Sequence, residues 1–361
     1  MKLILIGGHL TPALAMLDFL QSKHPEVNLC FIGRTHSRVD QKALELTEVS
    51  RRGIKFLSLA APKFAMVTVW IWLFRFGQLL ASSLRATQIL KLEKPDCVVS
   101  FGGYLAVPIV LAAWRLKIPV VTHEQTRAVG LANRVIGKFA KYVGVSFPES
   151  QIFFDQTKTS VVGNLIRSSI FDPNLTKPSW FENPANLPVL IVTGGSQGSQ
   201  KINQVIDELA ASLVNVWCVV HQRGPQTSQS RPAPNIPGYF SFEWLSASEL
   251  FWLWRQPGAV SISRAGANTV SELAVAKIPA ILIPLPNTYQ NEQQLNAAWL
   301  ASLGTAYVLP QAELSAKTLA ALISQAEIAS GRPSPKTNTE ANQPLRAAEQ
   351  VWNLINQAIE N

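Results

Sequence analysis

The chain has 361 residues, of which 47% are hydrophobic and 15% charged; it is too apolar for a disordered tail and too long for a disulfide-stapled mini-protein, and at roughly 100–200 residues per domain it is expected to form two domains. Its net charge of +9 is uneven, because residues 1–160 carry 20 basic and 10 acidic side chains while residues 161–361 carry 12 and 13. A first half at +10 beside a second half at −1 points to an anionic partner for the first half alone.

No basic stretch is interleaved with a nucleic-acid motif, so no nucleic acid is expected and an anionic membrane surface is the favoured partner. The N-terminus, MKLILIGGHL, reads as a first strand followed by Gly7, Gly8 and His9; one basic residue and no small-residue cleavage site set it apart from a signal peptide. An amphipathic pattern, PALAMLDFLQSK, and a second strand, NLCFIG, follow. Residues 64–74, FAMVTVWIWLF, are flanked by Lys63, Arg75 and Arg85. Eleven residues fall short of the roughly 20 needed to span a bilayer, whereas Trp70, Trp72, Phe74 and Phe76 beside basic residues suit an interfacial anchor; a buried core helix has a similar composition.

The alternation continues with DCVVSF, AVPIVLAAWRL, PVVTHE and YVGVSF, and resumes in the second half with PVLIVTGG, KINQVIDELAASL, VWCVVHQ, AVSIS, NTVSELAVA, PAILIPLP and NEQQLNAAWLASL. Near-continuous Val/Ile/Leu strands between helices predict two parallel sheets, each covered on both faces, and hence two doubly wound α/β domains. The Pro-, Asn- and Ser-rich stretch 168–187 is the expected linker, and a final helix, RAAEQVWNLINQAI, closes the chain. Cys30, Cys97 and Cys218 lie far apart in apolar runs and are expected as free thiols in a reducing compartment, the cytoplasm by default.

Doubly wound sheets bind ligands at the carboxyl ends of their strands. There, TGGSQGSQ (193–200) offers Ser196, Gln197 and Gly198 at a strand-to-helix turn, where backbone N–H groups and a helix N-terminus suit phosphate. SRAGANTVSE (263–272) repeats the arrangement with Gly266, Ala267, Asn268, Thr269, Val270 and Ser271, and Glu272 is suited to a ribose diol, although a carboxylate early in a helix also answers the macrodipole. Two such turns on consecutive units point to a nucleoside diphosphate. Glu292 and Gln293 in PLPNTYQNEQQLNA suit sugar hydroxyls, though a polar helix start reads the same way. In the first half, His9 is a candidate general base, and SFGGYLAVP with THEQTRAVGLANR brings Tyr104, His123, Glu124, Gln125, Thr126 and Asn133 to the same sheet edge. No Asp-X-Asp pair that would suggest a metal-bound nucleotide is present and neither a metal nor another cofactor is expected, and with no obvious carboxylate nucleophile a single in-line displacement with inversion is the expected chemistry.

In order, GGYLAVPIVLAAWRLKIPVVTHEQ, GLANR, SFPES, VGNLIR, TGGSQGSQKIN, SRAGANTVSELA and PAILIPLPN with EQQLNA resemble the MurG family of N-acetylglucosaminyltransferases, over residues 3 to about 325. The resemblance implies the GT-B architecture, two Rossmann-like domains facing a cleft. It assigns 1–163 to the lipid acceptor and membrane, 164–340 to the UDP-sugar, and 341–361 to a helix packed back on the first domain. It further implies transfer of N-acetylglucosamine from its UDP donor to the polyprenyl-linked muramyl-peptide acceptor, lipid I, in peptidoglycan synthesis at the cytoplasmic face of a bacterial membrane.

By the same resemblance, His9 deprotonates the acceptor C4 hydroxyl. Arg167 and Ser196 contact the nucleotide, Ala267 to Glu272 hold it, and Glu292 and Gln293 meet the donor sugar. Leu245, at a different spacing, matches the residue whose backbone reads uracil. The chain departs from the family in having only Gly7 and Gly8 before His9, Thr126 in place of Asn, GNLIR for GNPVR and Lys277 for a helix-ending Gly. Rival readings are an NADP-dependent oxidoreductase using Arg34, a GT-B enzyme for another membrane glycolipid, and a non-catalytic relative that binds nucleotide sugar.

Overall fold

A computed structural model describes residues 1–35, 44–61, 69–195, 198–225, 231–330 and 344–360. The chain forms two units, Met1–Arg167 with Gln343–Asn361, and Ser168–Asn342.

The first unit holds β1 (Lys2–Ile6), α1 (Leu10–Lys23), β2 (Asn28–Gly33), α2 (Leu44–Arg51), β3 (Lys55–Ser58), α3 (Val69–Glu93), β4 (Cys97–Ser100), α4 (Ala106–Arg115), β5 (Val120–Glu124), α5 (Leu131–Phe139), β6 (Tyr142–Val145) and β7 (Thr159–Val161). Its seven parallel strands lie in the order β3-β2-β1-β4-β5-β6-β7. The apolar run of β1 has a direct cause. Leu3 and Leu5 face one core with α1, while Ile4 and Ile6 face another with residues of α3 and α4, and all four are fully buried. Each such side chain contributes roughly 1.5–3 kcal/mol by leaving water. The final helix packs against β4, β5 and β6 of this unit, and Trp352 on it stacks on His24 at a centroid distance of 4.2 Å.

The second unit holds β8 (Val189–Thr193), α6 (Gln200–Leu213), β9 (Cys218–Gln222), β10 (Tyr239–Phe242), α7 (Ala247–Trp254), β11 (Val260–Ser263), α8 (Ala267–Ala276), β12 (Ala280–Leu282), α9 (Glu292–Ser302), β13 (Ala306–Val308) and α10 (Ala316–Ser330); the final helix of the first unit is α11 (Pro344–Glu360). The six strands are parallel, in the order β10-β9-β8-β11-β12-β13. The stretch after Ser168 folds onto this unit: Phe181 is buried, and Trp180 Nε1 donates to Glu249 Oε1 at 2.7 Å. Lys277 ends α8 with φ +54°, a left-handed conformation that glycine adopts without strain.

No helix among the described residues is long and apolar enough to cross a membrane. The apolar run continues into α3, whose 25 residues include Trp70, Trp72, Phe74 and Arg75; Lys63 lies outside the described residues.

Candidate functional site

Strand order reverses between β1 and β4 in the first sheet and between β8 and β11 in the second. Such switch points open a crevice beyond the carboxyl ends of the strands, and the turns leaving these four strands carry the glycine motifs.

In the first unit the two glycine turns touch. A Cβ on Gly8 would lie 1.9 Å from the Gly102 carbonyl oxygen, a Cβ on Gly7 would meet the Phe31 ring at 2.9 Å, and Gly102 and Gly103 both have φ +80°. Asn133 on α5 fastens the second turn, because its Oδ1 accepts from the Gly103 N–H at 3.0 Å while its Nδ2 donates to Glu124 Oε2. Glu124 Oε1 accepts from both the N–H and the hydroxyl of Thr126, each at 2.8 Å. Thr126 therefore locks the carboxylate in place, and Gln125 is buried beside it. Tyr104 accepts from Arg34 Nη1 at 3.0 Å, and the same guanidinium reaches Glu45 at 3.4 Å.

His9 stands at the N-cap of α1 with extended backbone (φ −101°, ψ 110°) and makes no capping hydrogen bond. Its surroundings exclude enough water to hold its pKa below the usual 6.5, against the opposing pull of the Glu124 charge. It is therefore a neutral imidazole near neutral pH, able to accept a proton. His123, like Glu124 beside it, is buried. Its Nε2 pairs with the Gly163 carbonyl at 3.0 Å, and burial takes its pKa down to about 4.

In the second unit the described part of the first turn ends at Gly195 and resumes at Gly198; Ser196 and Gln197 lie outside the described residues. Gly198 has φ +70°, and a Cβ on it would sit 2.0 Å from the Arg223 carbonyl oxygen. Ser199 caps α6, accepting from the Ile202 N–H at 3.4 Å. The second turn begins α8 at Gly266 without a side-chain cap, and a helix N-terminus favours negative charge. Ala267, Val270, Ser271 and Glu272 are buried on that helix, and Asn268 and Thr269 are half-buried. Glu292 begins α9, and Gln293 Oε1 accepts from the Leu285 N–H at 2.9 Å. The Leu245 N–H donates to Gln222 Oε1 at 3.1 Å, so that N–H is already engaged. Arg167 is the last residue of the first unit before Ser168.

Sequence reasoning passed over Arg264, which stands in the quoted SRAGA motif immediately before the turn. Its guanidinium donates to Ser199 Oγ at 2.8 Å, Gln311 Oε1 at 2.6 Å and the Ile283 carbonyl at 3.0 Å. Only neutral acceptors surround it among the described residues, and burial lowers its pKa. A guanidinium held among neutral acceptors between two phosphate-type turns is electrostatically completed by an anion. The signal for it was a basic residue directly preceding a glycine turn. Among the described residues no group of three His, Cys, Asp or Glu side chains is arranged to hold a metal ion.

Residues 6–145 match the glycosyltransferase family 28 N-terminal domain, and residues 189–353 match the glycosyltransferase family 28 C-terminal domain. The chain is 33% identical over 337 residues to a UDP-N-acetylglucosamine–N-acetylmuramyl-(pentapeptide) pyrophosphoryl-undecaprenol N-acetylglucosamine transferase of Streptomyces coelicolor, covering 88% of this chain and 87% of the relative. It is 32% identical over 328 residues to the protein of the same name from Thermodesulfovibrio yellowstonii, covering 88% and 87%. Among solved structures, MurG of Acinetobacter baumannii aligns with a TM-score of 0.63 over 99% of this chain and 100% of that chain, at 23% identity. A UDP-GlcNAc 2-epimerase from Neisseria meningitidis bound to UDP-GlcNAc aligns with a TM-score of 0.63 over 99% and 100%, at 16% identity. At these identities the structural likeness carries the fold alone.

Proposed function

The chain belongs to the MurG family within glycosyltransferase family 28, and from that premise we propose that it transfers N-acetylglucosamine from UDP-N-acetylglucosamine to the C4 hydroxyl of the muramyl sugar of undecaprenyl-pyrophosphoryl lipid I, giving lipid II. The observation that carries this reading is the reach of the identity, 33% across 88% of the chain, which takes in both sheet edges and not one shared nucleotide turn.

The donor is held chiefly by the second unit. Backbone N–H groups of the turns at 194–199 and 266–269, the hydroxyl of Ser196, Arg167 and the guanidinium of Arg264 meet the diphosphate charge. Glu272 accepts from the ribose hydroxyls, the segment at Leu245 reads the base, and Glu292 and Gln293 meet the sugar. The first unit holds the acceptor against Gly7, Gly8, Tyr104, Glu124, Gln125, Thr126 and Asn133. His9 takes the proton of the acceptor hydroxyl as its oxygen attacks the anomeric carbon in line with the departing diphosphate, so the anomeric configuration inverts.

The acceptor lipid brings the protein to the cytoplasmic face of the membrane as a peripheral enzyme. Leu80 and Leu84, four residues apart on α3, are 52% and 67% exposed, Trp114 on the adjoining α4 is 57% exposed, and Arg85 on α3 with Arg115 and Lys117 at the end of α4 are exposed as well. Exposed apolar and cationic side chains on the same two helices fit an anionic bilayer surface.

Two of this chain's four departures, the pair of glycines before His9 and Thr126, fall at the proposed acceptor edge. A panel of acceptors offered with radiolabelled UDP-N-acetylglucosamine tests the assignment: a β-linked product on a lipid I analogue is expected. Labelling of a different polyprenyl glycolipid, with lipid I left untouched, would reassign the acceptor while keeping the donor.

A further inference from the structure

Gln222 is the last residue of β9, the strand between β8 and β10. The turn leaving β8 is the glycine turn proposed for the diphosphate, and the segment leaving β10 contains Leu245, proposed to read the base. The buried Gln222 amide bridges them, its Nε2 donating to the Gly195 carbonyl at 3.2 Å and its Oε1 accepting from the Leu245 N–H at 3.1 Å. The two bonds fix the amide orientation, because the two ends of the group have opposite hydrogen-bonding character.

The residues on either side of Gln222 reinforce the same turn. Asn203, in the first turn of α6, donates through Nδ2 to the Arg223 carbonyl at 3.1 Å, the oxygen against which Gly198 packs. Its Oδ1 must then accept from His221 Nε2, at 3.0 Å, which leaves His221 Nδ1 to accept from the Tyr239 hydroxyl at 2.6 Å. The Arg223 side chain is braced by both oxygens of Asp207 and by the Arg231 carbonyl. The strand end His221-Gln222-Arg223 is thus held on both flanks, and Gln222 is the member that reaches both nucleotide subsites.

We propose that Gln222 is a positioning residue that ties the diphosphate turn to the base-reading segment, so that the two halves of a uridine diphosphate bind cooperatively and the intact nucleoside diphosphate is selected over its parts. This rests on the donor reading given above. The two bonds separate by substitution. Gln222→Glu keeps an acceptor for the Leu245 N–H, loses the donor to Gly195 and places a negative charge beside the diphosphate turn, whereas Gln222→Met loses both bonds at nearly constant volume.

Calorimetric titration of the full chain with UDP and with uridine, alongside melting temperatures, tests the proposal. Wild type must bind UDP; if it does not, the donor reading itself fails, and the substitutions have no bearing on that outcome. With UDP bound by wild type, the expected ranking for UDP is wild type, then Gln222→Met at least tenfold weaker, then Gln222→Glu weaker still. For uridine the order of the variants reverses, Gln222→Glu staying within about threefold of wild type and Gln222→Met falling below it. The same ranking of the variants on both ligands, UDP affinity unchanged in both, or losses that follow a fall in melting temperature would overturn it.

Discussion

His9 combines three features of a working base: an uncapped position at a helix N-terminus, a pKa lowered by burial, and the Glu124 charge acting against that lowering. The sign of the pH dependence follows. Lowering a base's pKa keeps it deprotonated further into acid, so the acid limb of kcat/KM is expected below pH 6.5, with activity flat above the limb and lost as His9 protonates. Glu124→Gln removes the charge that raises His9 and is expected to move that limb to still lower pH; a limb that moves upward contradicts the coupling. Arg264→Met is expected to raise donor KM by about 10–100-fold, the loss of one charge-assisted contact of roughly 1.5–3 kcal/mol, with kcat less affected. An unchanged donor KM would make Arg264 a loop tether only. At this scale the glycines, His9 and the Glu124 region were legible because their chemistry is written in residue type. Arg264 and Gln222 were not, because their roles depend on which loops the strand order brings beside them. The pairing of His123 with the Gly163 carbonyl was not legible either, because it depends on the segment that follows the edge strand β7.

Nine of the thirteen strands among the described residues were readable as apolar runs, and the four that were not, β3, β7, β10 and β13, are the edges of the two sheets. An edge strand is covered less completely, so KFLS and AYV have no buried position, TSV and YFSF have one each, and none carries a continuous Val/Ile/Leu signature. The helix turns obey local rules that make sharper predictions. Gly198→Ala has no room against the Arg223 carbonyl and requires φ +70°, so UDP binding is expected to be lost while α6 persists by circular dichroism. Wild-type UDP affinity in that variant would show that the turn can relax. Lys277→Gly relieves a left-handed backbone and is expected to stabilise the fold by about 0.5–1 kcal/mol, read as a rise in melting temperature. On α3, a Leu80→Asp/Leu84→Asp double substitution is expected to abolish cosedimentation with vesicles containing anionic lipid and to leave UDP binding intact. Retained cosedimentation would move the membrane contact elsewhere.

Two doubly wound units in one chain place glycine turns at two switch points, and the uneven charge follows the division. The cationic half is the one proposed to meet lipid, and the neutral half the one proposed to meet a soluble nucleotide. Two buried histidines, one in each unit, add to the acid sensitivity of the fold. His221 is held to about 3 and His123 to about 4, against 6.5 when unfolded, so both are neutral in the fold and each must gain a proton on unfolding in acid. Because the unfolded chain binds more protons below pH 6.5, stability is expected to fall as pH drops from there toward 4. A melting temperature flat across that window would contradict their burial in neutral form. The claim that joins the halves is that this chain carries the transfer itself, with His9 as the base. It is tested by the transfer of radiolabelled N-acetylglucosamine from UDP-N-acetylglucosamine to a lipid I analogue in detergent, with wild type and His9→Ala run side by side and UDP affinity measured for both. The expected result is labelled lipid from wild type, a drop in kcat of about 10²–10⁴-fold in His9→Ala, and equal UDP affinity. Donor binding by wild type without labelled lipid, or a variant that turns over at the wild-type rate, would contradict it.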